Sequence, residues 1–178
     1  TQQQRKRTQM TFRTLLAVAL ALGLSHPACA QDQIGSVTGT IDDQPASWSI
    51  QSSEGQDSPG VWINMGPGMD MVTLFADPIE GTEPGALNLS FAVMQAGNTM
   101  NVFNAEGYYR ILETGVAYSA PMDGGMVYSL TLVEQVDGGL HVQGSFSGTF
   151  YLTFNGVEVD TSQSITIAGA FDVVVPPN

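Results

Sequence analysis

From Leu140 to Phe154 the chain alternates without a break: Leu140, Val142, Gly144, Phe146, Gly148, Phe150, Leu152 and Phe154 stand at even positions, and His141, Gln143, Ser145, Ser147, Thr149, Tyr151 and Thr153 at odd ones. A helix would scatter such a pattern around its whole circumference, whereas a strand sends successive side chains to opposite faces. The segment therefore predicts one long strand with a dry face and a wet face. Asn155-Gly156 follows it, a strong hairpin signal because both residues tolerate positive φ. Ile165, Ile167, Gly169, Phe171, Val173 and Val175 repeat the alternation up to Pro176-Pro177. Upstream, Met126, Tyr128, Leu130 and Leu132 do the same before the turn Asp137-Gly138-Gly139. Together these segments predict an antiparallel meander.

The preceding half reads in the same way, less cleanly. Strands are expected at Ile34–Ile41 and Ala46–Gln51 around the turn Asp42-Asp43-Gln44-Pro45, and again at Val61–Met65, Met71–Ala76 and Leu87–Val93. Ala105–Glu113 fits a short helix or a strand. Nowhere do three helical turns of amphipathic pattern occur. Gly35–Ile41 (GSVTGTI) echoes Gly144–Phe150 (GSFSGTF), as two strands would whose glycines let opposing side chains approach closely. About ten alternating strands with one buried side predict an all-β fold, a two-sheet antiparallel β-sandwich, with a closed up-and-down β-barrel as the alternative. An outer-membrane barrel fits poorly, because its lipid-facing positions should be apolar and the outward positions here carry Ser, Thr, Gln and Asp.

Residues 1–30 have a different character. Arg5, Lys6, Arg7 and Arg13 precede the apolar run Leu15–Leu24, which Ser25-His26-Pro27 ends before Ala28-Cys29-Ala30. That order predicts a signal peptide cleaved after Ala30 and a periplasmic or secreted protein. Ten apolar residues rise only ~15 Å as a helix, too short for a permanent span. Lipidation at Cys29 would need a Leu-like residue where His26 stands. Residues 31–178 are expected to form one domain, large enough for a core without disulfides.

That part of the chain holds no lysine, one arginine (Arg110), one histidine (His141) and all seventeen carboxylates, a net charge of −16. Nucleic-acid binding depends on neutralising phosphates with Lys and Arg, so it is excluded as an expectation, and anionic lipid surfaces are disfavoured for the same reason. The acidity suits solubility or a cationic partner.

Two metal readings arise. Asp70, Asp77, Glu80 and Glu83 gather oxygens of the kind calcium takes, six to eight at a time, though no EF-hand pattern is present. Met65, Met69 and Met71 flank the turn Gly66-Pro67-Gly68 and offer thioethers, which suit Cu(I). Packing of the methionines as flexible core filler is the plainer reading. Catalysis lacks support. The segment contains no cysteine or lysine, and in Gly144-Ser145-Phe146-Ser147-Gly148 the central residue of the would-be nucleophile elbow is Phe146. A glycosidase needs two facing carboxylates, for which no particular pair stands out. Trp48 and Trp62 are expected in the core, Tyr108-Tyr109 are open to a sugar-stacking role, and Arg110 is expected to pair with a carboxylate. The sequence thus predicts an acidic, non-catalytic module of the envelope or extracellular space, without a cofactor unless calcium. The alternatives are a metal-binding domain and, third, a carbohydrate-active enzyme. Its partner, protein, glycan or small molecule, is not encoded in any motif.

Overall fold

A computed structural model describes residues 33–51, 60–79, 85–97, 99–122, 124–154 and 158–177, and places most of them in ten strands. In chain order these are β1 (Gln33–Ile41), β2 (Gln44–Gln51), β3 (Gly60–Gly66), β4 (Met69–Pro78) and β5 (Ala86–Ala96), followed by β6 (Thr99–Arg110), β7 (Ala117–Ala120), β8 (Met126–Val136), β9 (Gly139–Phe154) and β10 (Glu158–Val175). No helix occurs among the described residues, so none there is long and apolar enough to cross a membrane.

The fold is all-β and sandwich-like, and every ladder between strands is antiparallel. The pairing path runs β10-β1-β2-β4-β5-β6-β7-β9-β8, with β3 on β4, and β9 also pairs with β10. One continuous path therefore replaces two separate sheets. The reason is the length of β9. One of its edges carries β10 from Leu140 to Phe154, and the other carries β8 from Gly139 to Gly148 and then β7 from Tyr151 to Thr153. Among the described residues the layer β8-β9-β10-β1-β2 joins the layer β3–β7 along its ladders through this three-residue seam and through Trp48↔Pro78 and Ser49↔Asp77, with an isolated bridge at Trp62↔Pro177 besides. Elsewhere the two layers meet through side chains. The ring of Phe91 on β5 lies 4.7 Å from Tyr128 on β8 and 6.0 Å from Phe171 on β10.

The predicted faces of β9 are borne out over most of its length. Leu140, Val142, Phe146 and Phe150 are buried, while Ser145 and Ser147 are exposed. The pattern fails at the end of the strand. Phe154 is 49% exposed, whereas Thr153 is buried beside β7, its Oγ1 hydrogen-bonded with Ser119 Oγ at 2.7 Å. The two echoing segments flank β10 on either side, β1 with Gly39 opposite Gly169 and β9 with Gly148 opposite Ile167. Phe146 lies against Gly169, where an added Cβ would stand 3.2 Å from the ring. The turn between β1 and β2 is tighter than the sequence suggested, with Asp42 and Asp43 both at positive φ (46° and 65°), as a two-residue primed hairpin requires. Asn155-Gly156 lies outside the described residues. Ala105–Arg110 is strand, the end of β6.

Trp48 ties this core to β5 and β6. It is fully buried and donates Nε1–H to the Gly85 carbonyl at 2.8 Å. The Gly85 amide in turn donates to the Tyr109 hydroxyl at 2.6 Å. Gly85, the residue just before β5, is thus held from both sides, which satisfies buried backbone groups that would otherwise cost ~1–3 kcal/mol each.

Candidate functional site: a groove on the outer face of β4 to β7

Alternation gives β4, β5, β6 and β7 an outward face whose composition differs from the rest of the surface. Register fixes its rows. Thr73 stands opposite Ser90, and Ser90 opposite Glu106. In the next row Phe75 is opposite Asn88, Asn88 opposite Tyr108, and Tyr108 opposite Ser119. Beyond them Ala86 is opposite Arg110, and Asp77 follows the Ala76–Leu87 pair. Two adjoining depressions lie along these rows. The first, about 380 Å³, is lined by Thr73, Ser90, Glu106 and Ser119 among others. The second, about 270 Å³, is lined by Phe75, Asp77, Ala86 and Arg110. Asn88 and Tyr108 belong to both. The first stands at the small end of ligand sites, roughly 300–1,000 Å³, and the second just below it.

The groove is supported from behind. Gly107 has no Cβ because Phe150 and Met126 lie against it from β9 and β8, at 2.7 and 3.1 Å from where one would be. Tyr128 donates its hydroxyl to the Glu106 carbonyl at 3.3 Å. Burial, and then the neighbouring Glu106 carboxylate, push that phenol well above its ordinary pKa, so it remains a neutral donor. Thr73 and Ser90 share a hydrogen bond of 3.1 Å on the groove floor. Arg110 is exposed and makes no ion pair among the described residues, while Glu80 and Glu83 lie outside them.

Of the residues singled out for calcium, the two that are described, Asp70 and Asp77, stand apart. Asp70 points inward and is 6% exposed, its Oδ1 accepting Trp62 Nε1–H at 2.8 Å and Asn64 Nδ2–H at 3.2 Å. Asp77 is exposed on the outward face. Seven residues of strand separate them, an odd number that puts them on opposite faces and roughly 23 Å apart along β4. Glu80 and Glu83 lie outside the described residues, among which no three His, Cys, Asp or Glu side chains form a metal-sized group. The methionines come closer together. Met69 and Met71 share the outward face of β4, and register adds Met94, directly opposite Met69. Met65, 57% exposed, occupies the bulge between Asn64 and Gly66. Sequence proximity alone had no way of finding Met94.

Catalytic constellations find little support in the geometry. His141 Nε2 lies 2.8 Å from Asp172 Oδ1, and Gln143 donates to Asp172 Oδ2 at 2.8 Å. No hydroxyl or thiol among the described residues hydrogen-bonds to His141, so the base–orienter pair stands without a nucleophile. In the groove, Glu106 and Asp77 are two strands and four residues apart, roughly 16 Å between backbones, and stand on different rows rather than facing one another as a glycosidase pair does. A third depression, about 310 Å³ at the β3 edge, is lined by Trp62, Ile63, Asn64 and Pro177. Set against known proteins, the chain matches no family model, no curated protein and no solved structure.

Proposed function

We propose that this chain is an exported, non-catalytic ligand-binding module of the cell envelope or extracellular space, and that its ligand lies in the groove on β4–β7. The observation that carries the reading is the pair of adjoining depressions sharing Asn88 and Tyr108. They combine an exposed aromatic ring with amide, hydroxyl and carboxylate groups, the mixture of apolar wall and convergent polar groups that characterises small-molecule sites. Export rests on the order of features in residues 1–30. Amide chemical-shift mapping with phenol and glycerol as probes tests the groove. The expected shifts concentrate on residues 71–77, 86–90 and 106–110. Shifts spread evenly over the surface, or confined to the depression at Trp62 and Pro177, would count against it.

A second reading, a soft-metal site, is favoured by Met94 standing opposite Met69 with Met71 on the same face. Cross-strand Cβ atoms sit about 4.5–5.5 Å apart, within joint reach of one ion for flexible thioethers. Anaerobic Cu(I) titration followed by native mass spectrometry should show one retained ion that Met94→Leu releases. An ion held equally well by that variant, or none retained, rejects this site.

A further inference from the structure

Resting on the groove reading above, we propose that the occupant is a neutral carbohydrate chain lying across the strands, stacked on Phe75 and Tyr108 and hydrogen-bonded between them. The two rings stand in one register row with Asn88 between them. Two strand spacings separate their backbones, ~10 Å, room for successive sugar rings rather than one. Both are substantially exposed, Phe75 by 39% and Tyr108 by 37%, with Asn88, Thr73, Ser90 and Ser119 among the side chains around them. Rings left in water offer large flat apolar area at little cost in conformational freedom. In the next row the small side chain of Ala86, opposite Arg110, lines the same depression.

Polar groups around the rings complete the argument. Asn88 and Arg110 donate, Asp77 and Glu106 accept, and Ser90, Thr73 and Ser119 do either. A polyhydroxyl ligand with apolar ring faces uses all of them at once. Charged ligands do not. An anion would meet a domain of net charge −16 whose single arginine or lysine is Arg110. For a cation the groove offers Asp77 and Glu106 on well-separated rows, with the Arg110 guanidinium near Asp77, so no two carboxylates converge on one positive charge. The planar fork of Arg110, free of a carboxylate among the described residues, has donors to spare for adjacent hydroxyls.

The test uses the exported protein, amide shift mapping and calorimetry. The probes are neutral oligosaccharides of gluco, manno, galacto, xylo and N-acetylglucosamine type, an oligogalacturonate, and a lysine-rich peptide. At least one neutral oligosaccharide should shift residues 73–77, 86–90 and 106–110, with affinity insensitive to salt. Tyr108→Ala and Phe75→Ala should each weaken it by about 10-fold or more without lowering the melting temperature appreciably, since both side chains are exposed. Tyr108→Phe, which keeps the ring, should retain most of the affinity. If only the uronate or the peptide shifts these amides, the carbohydrate assignment is overturned while the groove reading stands. If a neutral sugar binds but shifts other residues, both are overturned. If no neutral oligosaccharide binds, the carbohydrate assignment is overturned, and the phenol and glycerol mapping decides the groove separately.

Discussion

A Trp48→Ala variant should lose about 3–5 kcal/mol of stability, with a melting temperature lower by on the order of 10 °C. The side chain is the largest of those fully buried, and its removal leaves a cavity between layers that are joined nearby by only two backbone pairs, Trp48↔Pro78 and Ser49↔Asp77. Cavity cost and lost transfer energy add at such a site, because a narrow seam offers few neighbours able to relax into the space. Trp48→Phe separates volume from hydrogen bonding. It keeps most of the bulk but leaves the Gly85 carbonyl without its indole donor, at a cost of ~1–3 kcal/mol. Because Gly85 precedes Ala86 on the groove floor, the Phe variant should also shift the amides of residues 86–90. Denaturant midpoints and an amide spectrum of each variant would check this. A Trp48→Phe protein as stable as the parent, with an unmoved spectrum, would mean that the Gly85 bond does not hold β5 in place.

The sequence carried the strands better than it carried the site, and the reason is the range over which each is encoded. Alternation is local, so β9 and β10 could be read residue by residue, and their buried positions follow Leu140, Val142 and Phe171, Val173 as expected. Where a neighbour intervenes, locality fails. Thr153 looks like a wet-face residue until β7 covers it, and β7 itself spans only Ala117–Ala120, too few residues to show a period. In β6 the bulge opposite Ser90 and Ala92, with Asn104 at φ 50°, shifts the alternation by one residue. Ala105–Glu113 fitted a helix as well as a strand because β6 ends at Arg110 and its short regular stretch puts Gly107 on the inward face and Tyr108 on the outward one. The groove is harder still. Phe75, Asn88 and Tyr108 come from three strands, and each is recognisable in the sequence only as outward-facing. Their meeting depends on register, which is set by the β4–β5 and β5–β6 ladders and not by any spacing along the chain. Reading by proximity instead favoured Asp70 with Asp77, although their odd separation already implied opposite faces once β4 was taken as a strand. Met94 illustrates the same point, since a hairpin brings it to Met69 from twenty-five positions away.

Gly107→Val should destabilise the fold by about 1–3 kcal/mol or more and impair the groove together with it. Its new Cβ would lie 2.7 Å from Phe150 ring atoms. Phe150 is a rigid ring, fully buried in the packed core, so it has little room to retreat. Met126, whose flexible thioether also touches this position, can yield; the aromatic ring cannot. The strain therefore passes to β6, and Gly107 lies between Glu106 and Tyr108, both of which line the groove. A second substitution tells this mechanism from a general loss of strand propensity. Phe150→Leu shortens the opposing side chain, so the double variant should be less destabilised than the sum of the two single variants, by a coupling of about 0.5–3 kcal/mol. Strictly additive losses in a denaturant double-mutant cycle would show that the two residues do not press on one another. The close approach of Phe150 to β6 would then not be what sets the depth of the groove, and its shape would have to come from the β4–β5–β6 ladders alone.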